Sequence, residues 1–84
     1  MADLSTDDGL VTALQQAIEA AIPDARATVT ANGGRHFSIS VTCGAFEGLR
    51  TLDKQRQVYA AIAHLMGDDD APVHAIDEMK TLSA

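Results

Sequence analysis

The chain has 84 residues, enough for one domain. A domain this small buries only about 60% of the surface its unfolded form exposes, which leaves a modest core and little volume for a deep substrate pocket. Aromatic residues make up 4% of the sequence, so the core must be aliphatic; twelve acidic residues against six basic ones give a net charge of −6, the opposite of the basic footprint that phosphate neutralisation demands of an autonomous nucleic-acid binder.

A single domain over 1–84 is expected, with residues 1–6 as a flexible N-terminus. The opening Met1-Ala2-Asp3-Leu4-Ser5 lacks the basic and apolar regions of a secretory signal. Ser5-Thr6-Asp7-Asp8 is a helix start, because a hydroxyl followed by acids satisfies the first free amides and suits the positive end of the helix dipole. Leu10, Leu14, Ile18 and Ile22 then recur every four residues, one apolar stripe that Pro23 stops. From residue 26 to 42 the period becomes two: Phe37, Ile39 and Val41 alternate with Ser38, Ser40 and Thr42, and Asn32-Gly33-Gly34 supplies the turn of a hairpin with one apolar and one polar face. Helical spacing returns over residues 51–66 with Leu52, Val58, Tyr59, Ile62, Leu65 and Met66, and Gly67 can close that helix. Its near-apolar run, residues 58–66, is far too short to cross a bilayer. Asp68-Asp69-Asp70-Ala71-Pro72 is a solvated turn without the ligand spacing of a calcium loop. Residues 73–82 read as a strand with a one-residue bulge at Asp77 or Glu78, which returns Met79 to the face of Ile76.

The second and third strands are joined through a helix, and such crossovers join parallel strands. Parallel strands start on the same edge, so His36, opening the second strand, and His74, opening the third, share one rim. Adjacent strands would lie roughly 4.8 Å apart. Neutral imidazole binds iron, zinc and copper well, but two histidines do not fill a closed metal site, and strand-end histidines without a metal are the commoner case. Regular alternation also puts His36 on the polar face and His74 on the face of Ile76. Cys43, the one cysteine, excludes an internal disulfide and fits a reducing, cytoplasmic compartment; a lone cysteine at a strand end is more often a packing residue than a ligand. His64, late in the helix, reads as a cap or an exposed side chain. Nothing assembles a catalytic constellation, so an enzyme is not expected.

Arg35-His36-Phe37, Phe46-Glu47-Gly48, Lys54-Gln55-Arg56-Gln57-Val58-Tyr59 and Val73-His74-Ala75-Ile76 followed by Lys80-Thr81-Leu82 resemble the BolA family over nearly the whole chain. Lys54-Gln55-Arg56 looks closer to its IbaG-type branch. The resemblance implies an α+β fold of order α-β-β-α-α-β, similar to a class II KH domain: a three-stranded mixed sheet with helices packed on one face, and an extra short helical turn near residues 49–53. It also implies a non-enzymatic adaptor partnered with a monothiol glutaredoxin around a shared 2Fe–2S cluster held with glutathione, and no cofactor in the isolated chain. His74 would be the first cluster ligand and His36 the second, since the hairpin loop Asn32-Gly33-Gly34-Arg35 holds no cysteine; Lys54, Arg56 and Tyr59 would help form the partner surface. The role would be iron–sulfur trafficking or iron and redox regulation in a stress response. Alone, the chain would be a monomer or weak homodimer with no membrane association. The alternative is a KH-like transcriptional regulator that binds DNA weakly through Arg50, Lys54 and Arg56, although the Gly-x-x-Gly loop of RNA-binding KH domains is missing.

Overall fold

In a computed structural model, which describes residues 4–66 and 71–83, the chain folds as α1 (Asp7–Ala21), β1 (Arg26–Gly33), β2 (His36–Thr42), α2 (Thr51–Ile62) and β3 (Ala75–Leu82). Thr6 is the N-cap of α1, its hydroxyl accepting from the Gly9 amide at 3.0 Å. Asp7 and Asp8 follow in the first turn, at the positive end of the dipole. The helix stops at Ile22, ahead of Pro23. Its buried face is Leu10, Leu14 and Ile18, the stripe expected from the four-residue spacing.

The sheet has the order β1-β2-β3. β1 and β2 form the antiparallel hairpin, and β2 and β3 are parallel, as the helical crossover requires. Phe37, Ile39 and Val41 face inward and are almost wholly buried, joining Leu10, Leu14, Ile18, Phe46, Val58 and Ile62 in one core. The helices lie on that side; among the described residues no helix covers the other face, which carries Thr28, Thr30, Ser38 and Ser40 around a shallow hollow of about 130 Å³, below the roughly 300 Å³ at which small-molecule pockets begin.

The third strand is bulged where expected. Phe37 pairs with Ile76, but Ser38 pairs with Glu78, so Asp77 is the extra residue, and Met79 returns to the inner face opposite Ile39. A second irregularity falls at Asn32 in β1, between the partners of Phe37 and His36. Three details differ from the sequence reading. The short helical turn before α2 lies at Gly44–Phe46, where Phe46 anchors it in the core, and not near residues 49–53, where α2 itself begins. The end of the second helix tightens into a 3-10 turn at Ala63–Leu65; the expected Gly67 closure and the Asp68-Asp69-Asp70 turn lie outside the described residues. Leu52 is 57% exposed: six residues before Val58 and ten before Ile62, it is rotated roughly 100° from the buried face that those two define. Among the described residues no helix is long and apolar enough to cross a membrane.

The bulge gives a direct test. Deleting Asp77 leaves Ile76 opposite Phe37 and Met79 opposite Ile39, so far-UV circular dichroism and cooperative unfolding should persist. Phe37→Ala should instead cost about 3–5 kcal/mol by urea denaturation. An unfolded deletion variant would contradict the register.

Candidate functional site

The parallel pairing of β2 and β3 builds one rim of the sheet. His36 is the first residue of β2 and pairs with Ala75, the first residue of β3. His74 immediately precedes Ala75, and its amide donates to the Arg35 carbonyl at 3.0 Å, an acceptor shared with the Ala75 amide at 3.4 Å. Arg35 reaches this position through a turn in which Gly33, Gly34 and Arg35 all have positive φ. The glycines take that conformation freely; Arg35 does not. The two expected histidines are therefore neighbours at one edge. His74 is exposed and His36 half-exposed.

The His36 ring is held. Its Nδ1 lies 2.9 Å from Asp77 Oδ1. The Asn32 amide nitrogen donates to Asp77 Oδ2 at 3.0 Å and to Ser38 Oγ at 2.9 Å. The two bulge residues, one on each outer strand, thus meet over the polar face beside the start of β2. The hydrogen bonds from His36 and then from Asn32 hold the Asp77 carboxyl below the ordinary value, against the opposing effect of desolvation. Asp77 and Asn32 were not among the expected site residues. The signal for Asp77 was the bulge itself; its contact with His36 depends on a pairing 41 positions apart.

The remaining candidates separate. Cys43 is fully buried at the far end of β2, with its Sγ donating to the Pro23 carbonyl at 3.3 Å, and belongs to the core. His64 is exposed in the 3-10 turn after α2. Arg50 and Arg56 both reach the carboxylate of Asp53, at 3.6 and 3.9 Å, so their charge is partly offset within the helix. Arg56 and Tyr59 share the solvent face of α2 with Leu52, whereas Lys54, half-buried, projects roughly 160° from Arg56. Among the described residues no three His, Cys, Asp or Glu side chains converge to hold a metal ion. A histidine nitrogen at this rim is a donor of the kind that binds iron, zinc or copper.

A model of the BolA family, described as BolA-like protein, matches residues 12–83. The fold is similar to that of a BolA protein homologue from Coxiella burnetii, at 30% identity and a TM-score of 0.70 over 93% of this chain and 90% of that one. It is also similar to a Bol-like protein from Babesia bovis, at 30% identity and a TM-score of 0.71 over 87% and 83%. No curated protein matches the chain.

A group whose pKa is lowered on folding contributes stability that is fully present above its unfolded value and lost as pH falls through its folded value. Asp77 should follow this course in the acid limb. A carboxyl-carbon NMR titration should place its midpoint below that of an ordinary aspartate, and Asn32→Ala should move the midpoint up. An unmoved midpoint would contradict the Asn32 contribution.

Proposed function

Because the chain belongs to the BolA-like family, we propose that it is a non-enzymatic adaptor that binds a monothiol glutaredoxin and shares with it a 2Fe–2S cluster, in iron–sulfur trafficking or in iron and redox regulation. The observation that carries this reading is the common rim: β2 and β3 run parallel, so the backbones of His36 and His74 meet at one edge of the sheet. Imidazole is a donor for iron, and the further ligands such a site needs are what a thiolate-bearing partner with glutathione supplies.

In this reading His74, just ahead of β3 and open to solvent, is the first ligand, and His36 is the second. Imidazole in place of thiolate removes negative charge from the cluster and raises its potential. The same ligands make the assembly sensitive to acid, since a protonated imidazole cannot bind metal. Arg56 and Tyr59, on the solvent face of α2, are the further contacts offered to the partner. A DNA-binding role has weaker support, because Asp53 lies against two of its three proposed cations and the chain as a whole is acidic.

The test is to mix the purified chain with cluster-loaded monothiol glutaredoxin and follow the visible absorption and circular dichroism. The wild-type chain should change both spectra, and His74→Ala should abolish most of that change. A change of full size with His74→Ala would remove His74 as a ligand.

A further inference from the structure

The polar face of the sheet carries one feature that the adaptor role does not by itself require. β1 and β3 each hold an extra residue at the level where β2 begins. Those two residues, Asn32 and Asp77, bond to each other across β2, and Asp77 takes the His36 ring on its other oxygen. Both oxygens of the carboxylate are thereby engaged, and Asn32 is pinned a second time by Ser38. An isolated surface pair of this kind would add little to stability. The arrangement decides something else.

A carboxylate can only accept a hydrogen bond, so the nitrogen facing it must carry the proton. Neutral imidazole has one ring proton. With Nδ1–H committed to Asp77, Nε2 is left with a bare lone pair. This is the outer-shell pattern by which a carboxylate fixes the tautomer and ring orientation of a ligating histidine and raises its basicity. We infer that Asp77 is a positioning residue: it holds His36 as the Nδ1–H tautomer and presents a bare Nε2 at the rim as a ready nitrogen donor to a transition metal. Its value to a shared cluster rests on the adaptor reading; the tautomer does not.

The experiment is a long-range proton–nitrogen correlation spectrum of the full-length chain, labelled with nitrogen-15, at a pH above the ordinary histidine range. His64 and His74, both exposed, serve as internal references. His36 should show a protonated Nδ1 and a bare Nε2 as the dominant form. Asp77→Ala should shift it to the tautomer mixture of the references. A wild-type His36 protonated at Nε2 would overturn the inference without recourse to any variant, and so would an Asp77→Ala spectrum with unchanged His36 nitrogens.

A second arm addresses the reading beneath it. With cluster-loaded monothiol glutaredoxin, Asp77→Ala should weaken cluster retention by about 10–100-fold, the range typical of outer-shell ligand partners. His36→Ala should do so at least as strongly. Unchanged retention in His36→Ala would remove His36 as a ligand and leave the tautomer assignment to stand or fall on its own spectrum.

Discussion

The parallel pairing of β2 with β3 is the constraint on which the site depends. Were the two strands antiparallel, the seven-residue length of β2 would separate His36 from His74 by roughly 20 Å, and no single metal centre could take both. The crossover through α2 instead brings both strand starts to one edge. That arrangement is held by the core: Phe37 against Ile76 and Ile39 against Met79 on the inner face, with α1 and α2 closing over them through Leu14, Ile18, Val58 and Ile62. Slipping the pairing by one residue would turn the apolar set outward.

The rim itself is fixed by backbone before side chains act. Arg35 adopts a left-handed conformation that costs a non-glycine residue roughly 1–2 kcal/mol. In return its carbonyl meets two amides at the start of the third strand. One of those amides belongs to His74, and His36 directly follows the acceptor in the chain. The same turn admits Asn32 as an extra residue in β1, so the hairpin loop both aims the backbone of β3 and supplies a side chain that steadies Asp77.

Much of this was legible in the sequence because it rests on period and order. The four-residue stripe of α1, the alternation of β2, the Gly-Gly turn and the helix between two strands each announce themselves locally, and the parallel rim follows from topology. The bulge was also legible, since a regular strand cannot keep both Ile76 and Met79 on one face. What the sequence could not reveal was long-range and atomic. That the bulged residue would be Asp77 rather than Glu78, and that its carboxylate would meet His36 and Asn32, depends on the register of two strand pairs at once. The second helix misled for a simpler reason. Leu52 was counted in an apolar stripe, but its angle from Val58 puts it with Arg56 and Tyr59 on the solvent side. Lys54 is close to those two in the chain, but it projects roughly 160° from Arg56 around the helix.

The most direct test of the central claim is to label the histidines of this chain alone with nitrogen-15, assemble it with unlabelled cluster-loaded monothiol glutaredoxin, reduce the complex and record the hyperfine spectrum of the cluster. Directly bound imidazole should give strong nitrogen-15 couplings that disappear when the label is moved to the partner. A reduced cluster with no coupling to labelled nitrogen would show that this rim does not ligate it.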